Sequence, residues 1–168
     1  MASGDVKQAA YPASANLTTT NLQSLASSAT HVAGWESALI DNTSNLYLDY
    51  RITAKIVVGA APTAGLIRMW LVDMLDDSTW HDVFDGTEST ETVTSVEIRD
   101  SICQPAAITA TDATGSRVYP LSVPSVKAIF GGNMPAKFVI FVTHSTVQAL
   151  AAAGSQVTVK GSFGNVAP

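Results

Sequence analysis

Asn45-Leu-Tyr-Leu-Asp-Tyr-Arg-Ile-Thr-Ala-Lys-Ile-Val-Val58 decides the fold class. Leu46, Leu48, Tyr50, Ile52, Ala54, Ile56 and Val58 occupy one parity of this stretch, and the other parity is mostly polar. Successive side chains on a strand point to opposite faces, so a period of two over this length predicts a long strand with one face buried. A turn-rich gap holding Gly59, Pro62 and Gly65 leads into a second apolar run, Leu66 to Leu75, and the pair predicts an antiparallel hairpin. In the second run both parities are apolar apart from Arg68 and Asp73, so cover is expected on both faces, from a second sheet or from another subunit.

The same pattern extends outward. Lys137 to His144 reads as a buried strand, and Val157, Val159 and Phe163 alternate with Gln156, Thr158, Lys160 and Ser162 in a final half-buried one. Trp35 to Ile40, Thr92 to Arg99, Ala106 to Ala110 and Arg117 to Val123 are shorter strand candidates. Pro120 and Pro124 push the last of these toward a sheet edge or an irregular path. Eight or so strands without a sustained helix predict an all-β protein, a two-sheet antiparallel sandwich of the jelly-roll kind. Residues 1–30 read as an N-terminal arm, extended to about residue 19. Thr20-Asn-Leu-Gln23 has the spacing of a capping box, with Leu22, Leu25, Ala26 and Ala29 on one face of a short helix; a Ser/Thr-rich loop is the alternative. Residues 31–168 are the β-sandwich domain. No fixed-period repeat suggests a solenoid or propeller.

Composition narrows the partners. Charged residues make up 14% of the 168 and hydrophobic ones 46%, a mixture suited to broad, weakly charged faces that pack against other subunits. A net charge of −5, with nine Lys and Arg scattered singly, argues against nucleic acid, whose phosphates require clustered cations. Cys103 is the one cysteine, expected as a small buried hydrophobe. The Met-Ala-Ser-Gly-Asp start has no basic segment followed by an apolar core, so synthesis in the cytoplasm without a secretory signal is expected. The apolar runs fall far short of the roughly 20 residues of a membrane helix, and no membrane partner is expected.

Nine of the fourteen acids lie between Asp73 and Asp100. Asp76, Asp77, Asp82, Asp85 and Glu88 would suit the many oxygen ligands of calcium, without the EF-hand spacing; a solvated acidic loop is the plainer reading. Asp82 with Asp85, or Asp85 with Glu88, would be the carboxylate pair of a glycoside hydrolase, but no cleft is visible. His31, His81 and His144 lack metal-ligand spacing and read as surface or strand-end residues. No serine-nucleophile motif, phosphate loop or cofactor motif is present, and neither enzymatic activity nor a cofactor is expected. Trp70 and Trp80 bracket the acidic region, where aromatics serve either a core or a sugar-binding face.

Asp41 to Tyr50, the Gly59 to Gly65 turn, Asp82-Val-Phe-Asp-Gly-Thr-Glu-Ser89 and Gly131-Gly-Asn-Met-Pro-Ala-Lys-Phe-Val-Ile-Phe-Val-Thr-His144 resemble phrases of small virion proteins of tailed bacteriophages. The resemblance spans roughly residues 30 to 145 and is structural, not catalytic. Within that group the chain is similar to capsid decoration, or cement, proteins. The resemblance implies a jelly-roll body on the outer capsid surface that clamps neighbouring major capsid subunits and so stabilises the shell. It also implies a homo-oligomer, a trimer before a dimer. Tyr11, Leu17, Leu22 and Leu25 are the candidate capsid contacts of the arm, and removing residues 1–25 is expected to leave a folded domain that no longer decorates. The alternative is a carbohydrate- or receptor-binding sandwich of a phage head or tail fibre.

Overall fold

The protein is described by a computed structural model covering residues 6–76 and 78–166. Along the chain it forms β1 (Val6–Ala10), β2 (Ala15–Asn16), β3 (Ala33–Glu36), β4 (Ile40–Asp41), β5 (Asp49–Val57), β6 (Gly65–Asp73), β7 (Ser89–Thr92), α1 (Val96–Ile102), β8 (Gln104–Thr111), β9 (Val118–Val123), α2 (Val126–Ile129), β10 (Lys137–His144) and β11 (Gln156–Val166). One sheet runs β1-β11-β5-β9, with β2 also on β11; the other runs β7-β3-β10-β6-β8, with β4 also on β10. Every pairing is antiparallel. If β1 and β2 share the first position and β4 and β7 are set aside, eight strands stand in the orders 1-8-3-6 and 2-7-4-5. That is the connectivity of a jelly roll.

The expected hairpin is not formed: β5 and β6 lie in different sheets. Both runs carry an apolar face, and opposing sheets bury both at once. Ile52 and Ile56 of β5 share one core with Ile67, Met69 and Leu71 of β6. Residues 58–64 cross between the sheets, and Gly59 lies so close to the 146–149 segment that a Cβ there would stand 2.4 Å from the Ala149 carbonyl oxygen. The alternation also overran its strand. Asn42 accepts the Tyr47 N–H at its side-chain oxygen and donates from Nδ2 to the Tyr47 carbonyl, holding 42–47 as a loop. Leu46 and Leu48 are left exposed in that loop.

Cover on both faces of β6 comes from the chain itself. Ile67, Met69 and Leu71 face the other sheet, whereas Trp70 and Val72 join Phe84, Val93, Cys103, Val139 and Phe141 in a second cluster. Trp80, Val83, Ile98 and Ile102 close it from outside. This outer layer explains why β10 is buried from Phe138 to His144. Within it the predicted strand over Thr92–Arg99 is replaced by the end of β7 and by α1. Ser95 accepts the Ile98 N–H at its hydroxyl, an N-cap that starts a helix before a strand can continue. β9, which contains Pro120, is an edge strand, the first of the two expected alternatives.

Thr20 to Ser24 form turns and no α-helix. The Gln23 side chain leaves the capping-box geometry and donates to the Ser155 carbonyl across the molecule. Leu22 and Leu25 are 0% and 4% exposed in the main core, and the Leu25 carbonyl accepts a hydrogen bond from His144 Nε2. Residues 15–28 therefore pack as part of the sandwich.

Candidate interaction face

Alternation along β5 turns Tyr50, Ile52, Ala54 and Ile56 inward and Arg51, Thr53 and Lys55 outward. β11 does the same with Thr158 and Lys160 outward. Register then sets Lys160 directly opposite Arg51, and Thr158 opposite Thr53. Like charges facing each other across adjacent strands destabilise a sheet. Among the described residues, Arg51, Lys55 and Lys160 form no ion pair. Asp49 lines the same groove; its Oδ1 accepts the N–H groups of Tyr50 and Lys127, and it makes no ion pair with either cation. Two adjoining grooves share Arg51 and Lys160, one flanked by Tyr11 and Ser162 and the other by Ser14 and Thr158.

The opposite side of the sandwich carries the acid-rich 73–100 segment, whose carboxylates hold its own loops. Asp82 accepts from the Thr94 N–H and hydroxyl, Asp85 from the Thr87 N–H, and Asp76 from the N–H groups of Ser78 and Thr79. Glu88 Oε1 accepts from the Asn21 N–H and from Trp35 Nε1, which ties the N-terminal segment to the core. Asp77 lies outside the described residues. Among the described residues no three of His, Cys, Asp and Glu form a group that could hold a metal ion.

Of the four candidate contacts, the structure leaves Tyr11 on the surface, 64% exposed, with Lys160 Nζ 5.5 Å from its ring centre. Leu17 packs against the core from its margin, and its N–H donates to the Val157 carbonyl. Leu22 and Leu25 are corrected: as core residues they have no surface to offer a partner. Among the histidines, His144 stands at the end of β10, one of the two places expected, whereas His31 departs from the expectation. His31 and His144 are buried, hydrogen-bonded with Thr143 and Thr146 respectively. Burial, with Arg68 and Arg99 nearby, lowers the His31 pKa to about 4. Burial raises the Cys103 thiol to about 12, so the residue packs as a hydrophobe. Trp70 is 5% exposed beneath Arg99, whose guanidinium carbon lies 4.8 Å from the ring centre.

The signal for Arg51, Lys55 and Lys160 lay in the polar parity of the two half-buried strands. It became a site only when β5 and β11 proved to be neighbours. No family model, curated protein or solved structure matches this chain.

Proposed function

We propose that this chain is a structural virion protein that decorates a tailed-bacteriophage capsid and stabilises it by bridging major capsid subunits, on the outer surface of the particle. The observation that carries the contact surface is the directly opposed Arg51–Lys160 pair on the outward face of β5 and β11, without an ion pair among the described residues. An arrangement that costs stability in the free protein is relieved when a partner brings carboxylates to it. Tyr11 supplies an exposed aromatic anchor beside the pair. The phage assignment itself rests on the resemblance of the sequence. The sugar-binding alternative relied on surface tryptophans, and the burial of Trp70 removes one of them.

Arg51→Glu with Lys160→Glu tests the contact face. Both side chains point outward, so the doubly reversed protein is expected to fold with an unchanged melting temperature. It is expected to lose binding to heads that lack the decoration protein, and wild-type binding is expected to weaken as salt rises. Full occupancy by the reversed protein would refute this face.

A further inference from the structure

The second sheet ends in two edges of opposite character. Among the described residues β8 pairs only with β6, and it carries no charge over its eight residues, with Ile108 60% exposed. Folded proteins normally guard such an edge with charge, proline or a bulge. Pro105 and the irregularity at Ala106, where Trp70 pairs with Pro105 but Met69 pairs with Ala107, guard only the first half. Ala107 to Thr111 pairs with no further strand among the described residues, although β9 of the other sheet runs close beside it. Behind this stretch, Arg68 stands opposite Ile108 and lines a groove with Trp70, Pro105 and Ala106. Its guanidinium leans over Trp70 at 5.9 Å, and its buried Nε–H has no acceptor.

At the other edge, β7 pairs only with β3 among the described residues. Glu91 stands opposite Gly34, two residues from the Glu36–Ser89 pair, and so lies on the face that carries Glu36. Glu36 opposes Phe141 and Arg68 opposes Thr143 on β10, so Arg68 and Glu91 share one face of one sheet. Glu91 accepts a hydrogen bond from the Ser89 hydroxyl and has no ion pair among the described residues. Four antiparallel steps separate β7 from β8, which makes the two edges run in the same direction.

We propose that a second copy of this chain seats its β7 edge against β8, parallel to it, so that the second sheet continues from one copy into the next and the incoming Glu91 meets Arg68. Two strand spacings, about 9.5 Å, would separate their backbones, within the combined reach of these two long side chains. The junction is head-to-tail, and such junctions close into rings when the rotation between copies permits. Pairing β8 with β8 of a second copy would instead leave both charges without partners and bring two Arg68 side chains toward each other. The inference stands apart from the capsid reading, because it concerns copies of this chain in solution.

Sedimentation velocity over a range of concentrations tests it. The wild-type chain is expected to associate, less so in high salt. Arg68→Glu and Glu91→Arg are each expected to weaken association roughly tenfold, as an attraction becomes a repulsion. An equimolar mixture of the two is expected to associate again, since every junction between unlike copies then joins opposite charges. If circular dichroism shows that Arg68→Glu does not fold, Ile108→Glu mixed with Glu91→Arg still offers an intact Arg68–Glu91 junction and is expected to associate. A chain that stays monomeric, reversals without effect, or a mixture that fails to reassociate would each overturn the proposal. Association lost in Ile108→Glu but kept in Glu91→Arg would overturn it too, in favour of β8 pairing with itself.

Discussion

Glu36 occupies a position hostile to a carboxylate. It is fully buried beneath the 84–86 loop, where Oε1 accepts the N–H groups of Asp85 and Gly86 and Oε2 has no partner. Burial raises its pKa to about 7 against the pull of those two N–H groups, and Asp85 and Glu91 push it further in the same direction. A folded pKa above the unfolded value means that the folded state holds its proton longer. The stability conferred by the neutral acid is therefore complete below pH 4.5 and is lost as pH rises through 7. The span is on the order of 3 kcal/mol. His31 works the other way: its depressed pKa of about 4 contributes stability above pH 6.5 that is lost on acidification. Comparison with Glu36→Gln isolates the first effect. Relative to this variant, the wild-type protein is expected to lose on the order of 3 kcal/mol between pH 4.5 and pH 8 in urea unfolding. A constant difference across that range would show that the carboxyl group titrates normally. Nothing in the Trp35 to Ile40 pattern marked Glu36 for burial, because its cover is a loop some fifty residues further along the chain.

At the level of elements, alternation revealed faces but not partners. The inward parity of β5 and β11, the double-faced burial of β6 and β10, and the edge position of β9 were legible, because each follows from period and proline alone. Pairing was not legible, since a turn-rich gap serves a hairpin and a crossover equally well. Gly59 makes the distinction testable. Gly59→Ala forces a methyl group toward the Ala149 carbonyl and is expected to cost about 2 kcal/mol, whereas the open loop of a hairpin would tolerate it. The N-terminal segment hides its packing for a related reason. Small polar residues around Leu22 and Leu25 look like an arm in sequence, yet they close one end of the core through contacts with the chain around Ser155 and His144. Leu22→Ala is expected to destabilise the protein by roughly 2–5 kcal/mol. Removing residues 1–25 is expected to abolish the cooperative unfolding transition; a truncated chain that melts cooperatively near the wild-type temperature would contradict this placement of Leu22.

Taken whole, the molecule has two chemically different sides. Arg51, Lys55 and Lys160 stand on the outer face of one sheet, while the other sheet is covered by a segment rich in carboxylates. Such a division orients a small protein on a charged partner before close contact is made. It costs the fold little, because Asp76, Asp82 and Asp85 of the cover accept hydrogen bonds within that segment and only Arg51 and Lys160 oppose each other directly. On a shell, each bound copy would shift the balance toward the assembled state by mass action, so contacts of moderate strength suffice when repeated over many sites. The proposal is tested most directly by cosedimenting the purified protein with empty, expanded phage heads that lack it, and then heating those heads. Saturable binding together with a raised rupture temperature is the expected result. Absence of binding at protein concentrations well above the number of available sites would contradict the decoration role.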